Sequence, residues 1–243
     1  MNKPLLKVFD SDLQYLDGPN SRGSEFNFIF KVSMQLLKGF RKLHFVGPCI
    51  TVFGSARTEE CNEDYKLAMG VGKEIAKMGF TTMTGGGPGI MEAANRGAFQ
   101  NGGFSVGCTI KLPEEQSFNK FMNKFVSLDY FFVRKVLLLK YSYAFIVMPG
   151  GFGTLDELFE TATLIQTGII QNFPIVVFDK EYFNPIRKLI DDMIVNKTIS
   201  RSDKKLILFT DDLEEGMQHI KKYISRNYLI KSKKSKPLWW LGE

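Results

Sequence analysis

Histidine, cysteine and proline are scarce in this 243-residue chain, at two, three and nine. His44 and His219 lie far apart and have no carboxylate or thiol companions at ligand spacing, so they support neither a histidine-based metal site nor a Ser-His-Asp triad. Cys49, Cys61 and Cys108 are odd in number and lack a CxxC spacing, which argues against a disulfide framework or a structural zinc. A long hydrophobic run is missing too: nothing approaches the ~18 apolar residues of a membrane span. The first ten residues lack the uninterrupted apolar segment of a signal peptide, so the expected location is the cytoplasm, with no membrane partner.

Net charge is +6, but residues 226–243 carry five Lys/Arg against one Glu, which leaves only +2 for the rest. The body is nearly neutral, the basic tail reads as a solvated end, and no nucleic-acid partner is expected. Trp239 and Trp240 stand in that tail, close enough to the terminus to pack on the body or on a partner. With 44% hydrophobic and 24% charged residues, the composition is that of an ordinary globular protein. A chain of this length forms one large domain, or one with appendages, and buries roughly 70–75% of its extended surface.

Residues 1–23 are polar and irregular. From Ser24, placed as an N-cap, apolar residues recur at helical spacing (Phe26, Ile29, Phe30, Leu36, Leu37, Phe40, Leu43), predicting a helix that packs on the main domain. After Gly47-Pro48, short β-branched and aliphatic runs alternate with helical patterns. Strands are expected at 49–54, 80–84, 104–110, 124–128, 144–148, 174–178 and 206–209, and helices at 63–78, 89–100, 131–140, 154–166, 184–195 and 213–225. The fold class this predicts is α/β: a Rossmann-like, doubly wound, mostly parallel sheet of about seven strands in a three-layer sandwich, with an added N-terminal helix. The expected division is an arm and helix over 1–46, the α/β domain over 47–226, and the basic tail over 227–243.

Three glycine-bearing turns follow expected strands. The first is Gly54-Ser55-Ala56-Arg57; the second, Gly85-Gly86-Gly87-Pro88-Gly89, opens a helix beginning Ile90-Met91-Glu92; the third runs from Met148 through Pro149-Gly150-Gly151-Phe152-Gly153-Thr154. Glycine lets main-chain N–H groups approach a ligand, a helix N-terminus favours a phosphate, and Thr154 is placed to cap the helix or donate to that phosphate. The carboxyl ends of parallel strands are where an open α/β sheet puts its site. No turn satisfies G-x-G-x-x-G in register and no Walker-type loop occurs, so neither a standard NAD fingerprint nor a triphosphate loop is supported. Glu157 and Glu160 share one face near the start of the following helix, whereas Asp156 lies on another. Arg134 and Lys135 sit in an otherwise apolar helix, where a desolvated guanidinium needs an anionic partner such as Glu157 or a ligand.

These residues resemble the Lonely Guy (LOG) family, historically mislabelled as lysine decarboxylases, whose P-G-G-x-G-T-x-x-E motif stands intact over 149–157. The likeness spans about residues 49–226. It implies a phosphoribohydrolase that cleaves the N-glycosidic bond of a nucleoside 5′-monophosphate, AMP or a cytokinin riboside monophosphate, to free base and ribose 5-phosphate, with no metal and no cofactor. It places the family's catalytic pair on Arg134 and Glu157 and its phosphate contacts on Gly151–Thr154 and Gly85–Gly87. Gly54, Ser55, Gly89, Met91, Glu92, Met148 and Gly150 are the further substrate-binding candidates, with Lys135 and Glu160 supporting. Short plant members read G-G-G-x-x-G-L-M-G where this chain has Pro88 and then Gly89-Ile-Met-Glu92, so base preference does not carry over. A homodimer or higher assembly, with the site near its interface, is also implied. The alternative reading is a sensor or carrier that uses the same loops only to bind.

Overall fold

Residues buried on both sides of a sheet cannot alternate apolar with polar, and the central runs of this chain do not: all five residues of β1 (Cys49–Phe53) and all four of β6 (Ile175–Phe178) are buried. The computed structural model describes residues 19–111, 117–171 and 173–228. In chain order the elements are α1 (Arg22–Leu43), β1, α2 (Glu63–Lys77), β2 (Thr81–Thr84), α3 (Ile90–Gln100), β3 (Ser105–Ile110), β4 (Lys124–Leu128), α4 (Phe131–Tyr141), β5 (Ser142–Val147), α5 (Phe152–Gln166), β6, α6 (Asn184–Val195), β7 (Ile207–Thr210) and α7 (Leu213–Asn227). The seven strands form one parallel sheet in the order β4-β3-β2-β1-β5-β6-β7.

The chain therefore starts in the middle, works outward to β4, and returns with β5 on the other flank of β1. That reversal makes β1/β5 the switch point, and the turns leaving these two strands diverge around a crevice at their carboxyl ends. Side chains of alternate strand residues feed two cores. Ile50, Val52, Ile146 and Val176 meet Val71, Ile75, Ile90, Ile220 and Ile224 of α2, α3 and α7. Met83, Val106, Phe145 and Val177 meet Leu43 of α1, Val133 and Leu137 of α4 and Leu158 of α5.

The N-terminal helix departs from expectation twice. It begins at Arg22 rather than after Ser24, because Ser21 takes the extended backbone of a cap and its hydroxyl accepts from the Ser24 N–H. Its apolar residues also belong to two faces. Val32, Leu36, Phe40 and Leu43 pack on the core, and Phe28 meets the rings of Tyr130 and Phe132, whereas Phe26, Ile29, Phe30, Met34 and Leu37 stand exposed. A one-dimensional spacing pattern merged the two faces into one stripe. Trp239 and Trp240 lie outside the described residues. No described helix is long and apolar enough to cross a membrane.

Candidate active site

Ser55 ties together the turns at the switch point. Its N–H donates to the Pro149 carbonyl (2.9 Å), its carbonyl accepts from Ile90 N–H (2.9 Å), and its hydroxyl accepts from Arg57 N–H (3.0 Å). Met148 N–H donates to the Phe53 carbonyl (2.9 Å), and the Met148 side chain is fully buried in the same core as Val52, Ile90 and Ile146. Gly89 has a left-handed backbone (φ 68°), and a methyl group there would overlap the Ser55 carbonyl, so only glycine lets α3 start against the first turn.

Both helices that open at the crevice, α3 and α5, begin at glycines (Gly89 and Gly151) with no side-chain cap; α4 and α6 also lack one, whereas α1, α2 and α7 are capped by Ser21, Asn62 and Asp212. Helix α5 starts at Phe152, two residues before its expected start, so Thr154 is not the cap. It is the third helical residue, buried, with its side chain against Gly150 and its N–H turned back to the Gly151 carbonyl. The N–H groups of Phe152 and Gly153 head the helix, and a Cβ placed on Gly151 or Gly153 would meet nothing within 4 Å. Open space in front of uncapped helix N–H groups is what an anionic group requires. Tyr182, for which the sequence offers no signal, holds the same turn from outside, its hydroxyl donating to the Gly150 carbonyl at 2.8 Å.

A second unforeseen set is the polar network under the Gly85–Gly89 turn. Thr84 Oγ1 accepts from Gly86 N–H (2.9 Å) and donates to Asn95 Oδ1 (2.6 Å). Asn95 Nδ2 donates to Ser105 Oγ (2.7 Å), and Asn119 Nδ2 donates to the Gly87 carbonyl (3.1 Å) and to Asn95 Oδ1 (3.0 Å). Asn119 N–H donates to the Gly86 carbonyl (3.1 Å), so the turn is pinned on both edges. One signal was available: Asn95 is an amide on the buried face of α3, where an unpartnered amide is costly.

Arg134 reaches from α4 across the ends of β3 and β2. Its Nε donates to the Cys108 carbonyl (3.0 Å), and its Nη2 occupies the space a Cβ on Gly85 would need, with Met91 Sδ beside it. Among the described residues no carboxylate comes within ion-pair distance of Arg134, so its hydrogen-bonded anchor is a backbone carbonyl rather than the Glu157 carboxylate. Lys135 is differently placed: it bridges Asp156 (3.0 Å) and Glu160 (2.9 Å) of α5 and locks α4 to α5 beside the crevice. Glu157, one helical turn in from Phe152, is buried, and burial lifts its carboxyl to about 7 although the charges of Arg134 and Lys135 pull it down. Both Arg134 and Glu157 act on the Cys108 thiol, which burial raises to about 12, so that sulfur stays protonated beneath them. Glu92 lies on the first turn of α3 and accepts a long hydrogen bond from the Tyr65 hydroxyl (3.4 Å). Among the described residues no cluster of three or more His, Cys, Asp or Glu side chains is placed to hold a metal ion.

Fold and geometry thus define a doubly wound α/β protein with two uncapped helix N-termini at its switch point and, on one of these helices, a buried carboxylate of raised pKa. The sequence model of a family described as "Possible lysine decarboxylase" matches residues 91–220, more than half the chain, and the chain belongs to this family, the LOG family. It is 28% identical to a cytokinin riboside 5′-monophosphate phosphoribohydrolase of Arabidopsis thaliana, over 80% of this chain and 91% of the relative. It is 26% identical to the enzyme of the same name from Rhodococcoides fascians, over 71% of this chain and 88% of the relative. Among solved structures, the molybdenum cofactor binding protein of Rippkaea orientalis superposes with a TM-score of 0.55 at 22% identity, over 74% of this chain and 99% of the other, a likeness of fold.

Proposed function

We propose that this protein hydrolyses the N-glycosidic bond of a nucleoside 5′-monophosphate, releasing the free base and ribose 5-phosphate. The observation that carries this reading is Glu157: a buried carboxyl lifted to about 7, in the field of Arg134, one turn inside a helix whose N-terminus faces open space. In this reading the 5′-phosphate sits on the N–H groups of Phe152 and Gly153, with the Gly85–Gly87 turn on its other side. Breaking the bond leaves an oxocarbenium-like ribose, which the ionised Glu157 stabilises while accepting a proton from the attacking water. Water oxygen bonds to C1′, and the bonding pair leaves with the base, which takes up a proton. Arg134 sets the field around Glu157 and offsets negative charge developing on the base.

Two relatives named as phosphoribohydrolases, each aligned over more than 85% of its length, support the reaction class. We further propose a homodimer, formed through apolar side chains that α1 (Phe26, Phe30, Leu37) and α4 (Val136) leave exposed, α4 being the helix that carries Arg134.

The test is to incubate purified protein with AMP, other 5′-monophosphates and isopentenyladenosine monophosphate, following free base and ribose 5-phosphate by chromatography. Release that Glu157→Gln abolishes in a folded protein supports the hydrolase and ranks the bases. Tight nucleotide binding without release overturns it in favour of a carrier or sensor, and a fully active Glu157→Gln protein overturns the assigned role.

A further inference from the structure

Away from the crevice, a groove of about 880 Å³ runs between the C-terminal end of α2 and the length of α7. Its walls are Met78, Phe80, Leu213, Met217 and Ile224, and its rim carries Glu74, Asp212 and Glu214 against Lys77 and Lys221, with Lys77 already paired to Glu74 at 2.7 Å. Neither the phosphate turns nor Arg134 and Glu157 reach it, so the proposed reaction leaves it unexplained. The volume is that of a site for a drug-sized apolar group.

Tyr228, the last residue of the described segment, lines this groove, so the chain leaves the described residues at the groove's edge. Its ring is anchored, with the hydroxyl donating to the Gln171 carbonyl (3.2 Å) and an edge contact to Tyr143. Beyond Tyr228 the sequence carries Lys231, Lys233, Lys234 and Lys236, then Pro237-Leu238-Trp239-Trp240-Leu241, which holds both tryptophans of the protein. We propose that this segment turns back along α7 and seats the Trp239-Trp240 pair in the groove of its own subunit.

Geometry permits it: ten residues separate Tyr228 from Trp239, and the eleven Cα steps span up to about 36 Å, against about 22 Å for the fifteen residues of α7. The chemistry matches as well. Two indoles bury more apolar area than any other pair of side chains the segment offers, and its lysines pass a rim with more acids than bases. Tethering at Tyr228 supplies an effective concentration in the millimolar range, so a weak contact suffices and a separate partner competes poorly.

Because no other tryptophan exists, intrinsic fluorescence of the unmodified protein reports this contact directly. The expected result is blue-shifted emission, protected several-fold from acrylamide quenching. The emission should move to the solvent-exposed position in Leu213→Lys and in Gln218→Lys, the second altering an exposed side chain that also lines the groove. Truncation after Tyr228 should lower the melting temperature while leaving nucleotide turnover intact. Solvent-like emission from the unmodified protein overturns the proposal. So does a blue shift indifferent to both groove variants, which puts the tryptophans elsewhere, or one lost on dilution, which puts them in the groove of a second copy.

Discussion

Arg134 fills the space in front of Gly85: its guanidinium Nη2 stands where a methyl group on residue 85 would project, while its Nε is held by the Cys108 carbonyl at 3.0 Å. Gly85 is therefore a condition on where the cation sits. The obstacle to a larger residue is the far end of a flexible side chain, and Gly85 has no left-handed backbone to protect. Gly85→Ala is expected to change stability by less than about 1 kcal/mol yet lower kcat/KM for a nucleoside monophosphate by roughly tenfold or more, because a displaced guanidinium no longer meets the reacting geometry. Thermal unfolding beside steady-state kinetics separates the two, and unchanged kinetics would remove Arg134's position from the mechanism.

Glu157 links activity to pH. If its ionised form does the work, turnover falls on acidification through about pH 7, and Glu157→Gln removes both the activity and that limb. Stability moves the other way. The native carboxyl titrates near 7 and the unfolded one near 4.5, so between these values the unfolded chain ionises while the native protein keeps its proton. Folding stability is then lost as pH rises, by on the order of 3 kcal/mol once pH exceeds 7. Urea unfolding should find Glu157→Gln more stable than the parent at pH 8, with the advantage vanishing toward pH 4.5.

The amide network under the second turn should be expensive to break. Asn95→Ala leaves Thr84, Ser105 and Asn119 without a shared partner in a buried position, and a loss of about 2–4 kcal/mol is expected, with a raised KM because the Gly86 and Gly87 backbone is no longer pinned. Asn119→Ala, which removes the contacts to Gly87 and Asn95 and the acceptor for the Phe121 N–H but leaves Thr84 and Ser105 on Asn95, should cost less. Equal stability of parent and Asn95→Ala in denaturant would refute the network's structural importance.

The exposed face of α1 and α4 bears on assembly. Phe30 is 57% exposed and Val136 48%, so Phe30→Glu with Val136→Glu should leave the subunit folded and halve the mass measured by light scattering. A parent protein that is already monomeric at working concentration rules the dimer out.

Much of the architecture was legible because it rests on local repetition. Seven buried runs, each followed by a helical period, imply a parallel sheet, and all seven expected strands fall within two residues of those observed. Helix α6 occupies its expected range, 184–195, where Pro185 in the first turn marks the start. The glycine turns were legible for the same reason, since a glycine cluster between strand and helix leaves few other uses. Less legible was α1, where Phe28 and Val32 dock while Phe26 and Phe30 do not, a choice made by the neighbouring Tyr130 and Phe132 rather than by the helix's own spacing.

By itself, the sequence determined what is encoded between near neighbours: strand and helix periods, the absence of metal-ligand spacing, and the P-G-G-x-G-T-x-x-E run with its carboxylate at 157. Only the tertiary structure decided what depends on distant segments meeting. It set β5 beside β1, which turns two separate glycine turns into one crevice, and brought Asn119 under Gly87 and Tyr182 onto Gly150. It also gave Glu157 its raised pKa, because the cost of a charge is set by the surroundings that replace water, and only the assembled fold buries that carboxyl.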